Sequence, residues 1–404
     1  MNLFRCCAFV FAAFSLTKPA CAQEIGVQTA LTAKPVIERH VEVSSVPVDE
    51  RGGKLYLRAQ VVGIEREFIF DTGSPSMISK ELASELGLET IAESTGIDAN
   101  GQAVTAEIAV LESVQLGDAT FRDVPVLIFD FATMPMGACV FDGGVLGSEL
   151  LPGSAWRIDL DRGALDIAAS AEAFGKSRKV HSAPLTLSGF PHMPLIDYSV
   201  NGFSDKALFD TGNAGSLILF KEIANDREVR KAIKRGSDQR GRGSEGVSAG
   251  GMGPEVELRR FSLKDLKIGK HTIGKVTAST RQVPPTLLGA GFLSENIVTL
   301  DYPGATFSWS PRETPAPSKA HQGFGVSFVD TKPLVVQLFE GSVAAKRGLR
   351  LGDEVHSLDG RSLAAETDDE RCQHLRWLIN RPTDRTFSSV TVLRDGQPEL
   401  IELE

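Results

Sequence analysis

The alternation of apolar and polar positions makes this chain read mainly as strands. Leu55-Tyr56-Leu57-Arg58-Ala59-Gln60-Val61-Val62 is a strand-like run ending at Gly63, and Phe68-Ile69-Phe70 is a short apolar run beyond it. The same succession returns later, with Leu195-Ile196-Asp197-Tyr198-Ser199-Val200-Asn201 ending at Gly202 and Ala207-Leu208-Phe209 following. Two runs separated by a turn glycine predict a hairpin, once in each region. Ser79 to Leu88 reads as a short helix, started by Ser79 and stopped at Gly87.

The second strand of each hairpin ends on the same three residues: Asp71-Thr72-Gly73, followed by Ser74, and Asp210-Thr211-Gly212, followed by Asn213. A buried strand that runs into a tight turn presents its carboxylate on a rigid element, and the glycine allows close approach of a ligand or partner chain. The match extends upstream, since Gly63 and Gly202 each stand eight residues before the aspartate. It extends downstream as well: Val145-Leu146-Gly147 ends 76 residues after Asp71, and Leu287-Leu288-Gly289 ends 79 after Asp210. A strand with a charged turn then follows in each case, Trp156-Arg157-Ile158-Asp159-Leu160 and Ile297-Val298-Thr299-Leu300-Asp301. One Asp-Thr-Gly recurs by chance; two in matched surroundings predict an internal duplication of roughly 140 residues, a single-domain size.

On these paired motifs, residues from about 40 to 311 resemble the aspartic peptidase superfamily, and the short lobes resemble its retropepsin-like bacterial members more than long pepsins. The resemblance implies a mainly β, bilobal fold of two related β-barrel-like lobes, with Asp71 and Asp210 as the catalytic pair. It implies that Thr72 and Thr211 brace the two turns across the lobe interface, and that Gly73 and Gly212 let the turns approach. Ser74 and Asn213 would support the pair, Asn213 departing from the usual hydroxyl residue. Gly147 and Gly289 would pack beneath as structural support. Asn100-Gly101, flanked by extended residues, predicts a hairpin tip; the family's arrangement makes it the flap that closes over a bound chain, the alternative being an ordinary surface hairpin. The pepsin-type flap tyrosine has no counterpart, because Tyr56, Tyr198 and Tyr302 lie elsewhere.

Residues 321–404 resemble a PDZ domain of the bacterial protease-associated type, a small α+β module. The resemblance rests on Gly323-Phe324-Gly325-Val326 and on Gly348-Leu349-Arg350-Leu351-Gly352-Asp353. It implies that the backbone N–H groups of Phe324, Gly325 and Val326 form a nest for a terminal carboxylate. Ser327 to Val329 would take an added peptide strand, a helix near Asp369 to Asn380 would line the groove, and a hairpin from Val390 to Glu404 would turn at Asp395-Gly396. The alternative is a module that only packs against the lobes.

The remaining segments set the boundaries. Met1 to Arg5 is a basic start, Cys6 to Leu16 a mainly apolar run and Ala20-Cys21-Ala22 a small-residue cleavage signal, so 1–22 reads as a secretory leader. That predicts a periplasmic or secreted protein without a membrane span, a lipid on Cys21 being the weaker alternative. An exposed tail is expected over 23–40, lobe one over 41–169, a connection over 170–184, lobe two over 185–311 and a proline-rich linker over 312–320. Lys221 to Gly253 reads as a helix-like charged segment ending in a glycine-rich run, either a basic docking surface or a solvated helix with a second flap; the second is preferred. Cys139 and Cys372 remain after the leader is lost. They could pair in an oxidising compartment, but two cysteines make no disulfide framework and separate thiols are the preferred reading.

Composition narrows the chemistry. The 42% hydrophobic and 24% charged content is that of a soluble globular protein. The net charge of -9, or -11 once Arg5 and Lys18 leave, argues against nucleic acid as the main partner. The seven histidines are scattered, with no His-Glu-x-x-His motif, and neither a metal nor a cofactor is expected. Gly246-Val247-Ser248-Ala249-Gly250 spells a nucleophile elbow without the flanking strand and helix, and Gly241-Arg242-Gly243-Ser244-Glu245-Gly246 spells a dinucleotide loop after charged residues; both read as loop composition. The expectation is an exported aspartic endopeptidase acting on proteins or peptides, active as a monomer, whose PDZ groove takes C-terminal peptides. The rivals are a catalytically silent bilobal binding protein and a protease that awaits a PDZ ligand.

Overall fold

The computed structural model describes residues 34–175, 179–187, 192–316, 320–381 and 384–404. The expected leader, Cys21 and the tail up to residue 33 lie outside them. The chain is mainly β.

In the first half, β1 (Val36–Arg39), β2 (Val43–Arg51), β3 (Lys54–Val61) and β4 (Ile64–Phe70) lead to the first Asp-Thr-Gly. β5 (Met77–Ser79), α1 (Lys80–Glu85), β6 (Ala92–Ile97), β7 (Ala103–Leu116) and β8 (Ala119–Phe129) follow. α2 (Gly137–Val140), β9 (Gly144–Leu146), β10 (Ala155–Asp159) and β11 (Ala164–Ala168) complete it. The α1 helix begins as its sequence suggests, with Ser79 Oγ accepting from Leu82 N at 3.2 Å.

The second half runs through β12 (His181–Leu187), β13 (Pro194–Val200), β14 (Phe203–Asp210) and β15 (Leu217–Phe220). Then come α3 (Lys221–Ala224), α4 (Arg227–Ala232), β16 (Gln239–Gly243), β17 (Val247–Ser248) and β18 (Gly251–Met252). β19 (Val256–Ile268), β20 (His271–Arg281), β21 (Thr286–Gly289), β22 (Asn296–Asp301) and β23 (Thr306–Pro311) close it. The C-terminal unit contains β24 (Phe324–Val329), β25 (Lys332–Phe339), α5 (Val343–Lys346), β26 (Glu354–Leu358) and β27 (Arg361–Ser362), then α6 (Asp368–Asn380), β28 (Ser389–Arg394) and β29 (Gln397–Glu402).

The halves are joined beneath their turns by one antiparallel sheet in the order β2-β11-β10-β22-β23-β12. Its centre is the pairing of β10 with β22, Trp156 opposite Leu300. Trp156 is fully buried and lies 5.5 Å from both Phe70 and Phe121, so the sheet and the strand carrying the first aspartate share one core. That core continues into the second half through Phe209, Phe307 and Trp309, whereas the C-terminal unit has its own, built on Val335, Leu358, Val390 and Val392.

Several expectations need correction. The end of the expected tail is a strand, since Val36–Arg39 pairs with Ala119–Arg122. Likewise His181–Pro184, expected within a connection, pairs with Thr306–Trp309. The expected linker is fastened at its start: Asp161 accepts from Arg312 Nε at 2.9 Å and from Glu313 N at 2.7 Å. The charged segment is two short helices, because Asp226 caps a new one by accepting from Glu228 N and Val229 N and so breaks the first. Many of its charges are paired on the surface, Lys231 with Glu228 and Arg242 with Glu255.

The largest correction concerns the cysteines. Cys139 and Cys372 form a disulfide between α2 and α6, with Cα atoms 5.1 Å apart and the two residues 233 positions apart in sequence. Separation of that order carries no local signal, and only the docking of the C-terminal unit brings the two sulfurs together. Beside the disulfide a cavity of about 720 Å³ lies between α6 and the first half, lined by Arg51, Tyr56, Phe141, Arg376 and Ile379. Closing so long a loop constrains the unfolded chain strongly. Reduction, or Cys372→Ser, is therefore expected to lower stability by about 2–5 kcal/mol, read as a drop in the urea midpoint relative to the oxidised chain.

Candidate active site

Each aspartate is delivered by the same local device. The β3–β4 hairpin turns at Val62-Gly63 with φ of 47° and 84°, and the β13–β14 hairpin at Asn201-Gly202 with φ of 47° and 89°. Left-handed conformation at both central residues is the tight turn that matches strand twist, and glycine supplies the second position without a Cβ clash. β4 then pairs in parallel with β9, placing Phe70 beside Leu146. β14 pairs in parallel with β21, placing Asp210 beside Gly289. Asp71 N donates to Leu146 O at 3.0 Å, which ties the turn to the strand below it.

The two turns meet. Thr72 and Thr211 are completely buried. Thr72 Oγ1 donates to Phe209 O at 2.6 Å and accepts from Thr211 N at 3.2 Å. Thr211 Oγ1 donates to Phe70 O at 2.8 Å and accepts from Thr72 N at 3.0 Å. Each hydroxyl thus uses its one donor and one lone pair on the opposite half. A Cβ at Gly73 would collide with the Asp210 carboxylate, and one at Gly212 with that of Asp71. The two carboxylates therefore face each other across the junction. Gly73 N donates to Asp71 Oδ1 and Gly212 N to Asp210 Oδ1, each at 2.9 Å.

Burial pushes Asp210 up to about 7, helped by the charge of Asp71. Lys54 and Arg281 pull the other way. Lys54 reaches across from the first half, its Nζ donating to Gly212 O at 2.6 Å. Arg281, at the end of β20, is 8% exposed and donates to Pro285 O at 3.2 Å and Ala99 O at 3.1 Å.

Above the aspartates the halves touch again. The β6–β7 hairpin turns over Asp98 to Gln102, where Asp98 Oδ1 accepts from Asn100 N and Gln102 N at 2.9 and 2.8 Å. From the second half, the segment 244–253 carries the β17–β18 hairpin to meet it. Asn100 Nδ2 donates to Gly246 O at 3.0 Å, Gly250 N to Asp98 Oδ2 at 2.8 Å and Ala99 N to Ser248 Oγ at 3.3 Å. With the Arg281 bond to Ala99, four hydrogen bonds roof the site.

The other expected residues fall as follows. Ser74 Oγ donates to Pro75 O and Asn213 Oδ1 accepts from Gly215 N, so both side chains serve their own turns. Gly147 N donates to Ser76 Oγ at 2.9 Å, and Gly147 lies against the backbone of Ser74 to Ser76 with no space for a Cβ. Gly289 lies in the same way against Asn213 and Gly215. Phe324, Gly325 and Val326 begin β24, remote in sequence from both aspartates, and Ser248 sits in the second hairpin. Among the described residues no three His, Cys, Asp or Glu side chains gather as a metal site.

Sequence reading missed Lys54, Arg281 and Glu149. Glu149 is 3% exposed and accepts from Ser76 N at 2.6 Å, directly behind the first turn. It stands two residues past Gly147, where the second half has Gly291, so this departure from the repeat was the available signal. Lys54 and Arg281 reach partners 158 and 182 positions away, Gly212 O and Ala99 O, and only the assembled junction brings them together.

A family model described as aspartyl protease matches residues 57–150. The matched segment holds Asp71, the first hairpin tip and Gly147, and it supports a protease activity; Asp210 lies outside it. Comparison with curated proteins finds no match.

Burial also pushes Glu149 up to about 7, from an ordinary 4.5. An acid raised in the fold holds its proton there longer than in the unfolded chain. Its contribution is therefore most favourable below about pH 4.5 and falls as pH rises toward 7. Glu149→Gln is expected to remove about 3 kcal/mol of that decline, visible as a flatter plot of denaturant midpoint against pH between those limits.

Proposed function

We propose that this chain is an exported aspartic endopeptidase whose halves are the two lobes of one active site and whose C-terminal unit is a PDZ module that docks protein substrates. The observation that carries the reading is the facing pair, Asp71 and Asp210, on turns locked by Thr72 and Thr211. Two such carboxylates share one proton, because ionising both places like charges in contact. The ionised partner takes a proton from a water as its oxygen attacks the peptide carbonyl. The protonated partner gives its proton to the carbonyl oxygen. Collapse of the tetrahedral intermediate breaks the C–N bond, and the leaving amine takes up a proton from the pair. This is general acid–base catalysis without a covalent intermediate, and the proton belongs to the pair rather than to either residue.

The roof has a role in the same reading. Asn100 and Gly101 at the first tip, with the segment 244–253, would close over the bound chain and exclude water from the carbonyl. The leader supports export, and the disulfide suits an oxidising compartment. For the C-terminal unit the support is the order of its elements, with the glycine-flanked Phe324-Gly325-Val326 opening a strand and α6 beside it. The active site needs one chain only.

Asp71→Asn and Asp210→Asn are each expected to reduce hydrolysis of a denatured protein substrate by at least about 10³-fold while the thermal transition persists. Undiminished cleavage by either would remove the mechanism. Loss of the shared proton sets the alkaline limb of the pH–rate profile near pH 7, with activity falling above it. Lys54→Met removes a cation that favours ionisation, so that limb is expected to move up by about one unit.

A further inference from the structure

Two histidines of the second half meet outside the catalytic turns. His181 opens β12, whose pairing with β23 sets it opposite Trp309. His271 opens β20, just past the Gly269-Lys270 turn, and pairs with Ile268 at the end of β19. The backbone brings these two points together. Gly269 N donates to Asp197 O of β13 at 2.9 Å, and a Cβ at Gly269 would press on that of Ala183, two residues past His181. Gly269 has φ of 54°, so glycine both turns the chain and leaves room for β12. Each imidazole is therefore carried at the end of a paired strand, and each is half-buried. Both rings pack on Trp309, which is buried, with centres 5.5 and 5.6 Å from it.

The rings turn the same atom toward each other, Nδ1 to Nδ1 at 3.2 Å. Such a distance suits either a hydrogen bond between two neutral rings or two lone pairs directed at one cation. The ring centres separate these cases. A straight N–H···N bond of this length would hold the centres about 5.5 Å apart. They are 4.8 Å apart, with the planes at 58°, so the Nδ1 directions are bent off the line that joins them. Two imidazole nitrogens about 2.0–2.1 Å from one tetrahedral zinc stand about 3.3 Å apart, with ring centres about 5 Å apart. The observed pair lies close to both values. Imidazole is the commonest metal ligand, and it suits zinc, copper and nickel. Among the described residues no third His, Cys, Asp or Glu joins the pair, which leaves the rest of the coordination to water.

We infer that His181 and His271 form a two-imidazole site for a divalent transition-metal ion, zinc by its geometry, that clasps β12 to the β19–β20 turn. β12 is the last strand of the sheet that joins the halves, and the ion would hold its first residue to a hairpin of the second half. Two protein ligands make a weaker site than the four of a closed zinc centre, so occupancy follows the free zinc around the chain. The inference stands apart from the peptidase reading, since neither histidine touches the catalytic turns.

The test uses the full chain, stripped by a chelator that is then removed. Titration calorimetry with zinc chloride is expected to show one site per chain, and zinc to raise the urea midpoint of unfolding. His181→Gln and His271→Gln should each weaken zinc binding by about tenfold or more and lose the midpoint shift. Should either variant fail to fold, X-ray absorption at the zinc edge of the unmutated chain decides. Two imidazoles with nitrogen at about 2.0 Å and oxygen in the rest of the shell are expected there. No zinc binding, binding that both folded glutamine variants retain in full, or an absorption spectrum without two imidazoles would each overturn the inference.

Discussion

Two carboxylates cannot be held against each other unless something opposes their repulsion, and here that is the reciprocal lattice of Thr72 and Thr211. At an effective dielectric near 20, two full charges about 4 Å apart repel by about 4 kcal/mol. Four buried hydrogen bonds at a net of about 1 kcal/mol each come to the same size. The lattice alone therefore does no more than balance a doubly ionised pair. Retention of one proton by the pair would remove that repulsion, and burial with the charge of Asp71 favours it at Asp210. The rise of Asp210 to about 7 and the burial of the threonines are two consequences of one constraint.

The surroundings adjust that constraint from several sides. Lys54 and Arg281 bring positive charge from different halves, one fixed on Gly212 O and the other on the hairpin tip at Ala99 O. Arg281 thus links the electrostatics of the pair to the closure of the roof, since a change at the tip alters the position of a cation acting on Asp210. Glu149 is a different case. It is buried behind the first turn and bonded to the backbone N–H of Ser76, so its proton bears on the support of Asp71 rather than on the pair itself. The second half has Gly291 at that place, which makes the two supports chemically unequal although their strand pairings match.

What could be read from the sequence was whatever rests on neighbours along the chain. The hairpins turning at Gly63 and Gly202, the helix begun by Ser79 and the tip at Asn100-Gly101 are local, and each appears where its residues require. The supports at Gly147 and Gly289 were implied by the resemblance, while their parallel pairing with the aspartate strands is seen only in the structure. Features that depend on docking were not legible. The bond from Cys139 to Cys372, the reach of Lys54 to Gly212 O and the pairing of β16 with β25 all join residues more than ninety positions apart. Val36–Arg39 and His181–Pro184 looked like tail and connection because each is a short edge strand whose apolar positions are few. The charged segment misled in the opposite way, since its composition suits a helix while Asp226 favours starting a new one.

The contact between β16 and β25 shows why a coupling between units can leave so faint a trace. It is made by backbone groups, so it places no demand on side-chain identity except that there be room for the strands to meet. Gly241 and Gly243 satisfy that demand, and in sequence they look like loop composition. With β19 on one edge and β25 on the other, β16 has both rows of its backbone hydrogen-bonding groups engaged. A roof segment rooted in such a strand has a stiff base, and its freedom is confined to the stretch beyond Ser244. The C-terminal unit therefore meets the second half at the point where a paired strand gives way to a short hairpin.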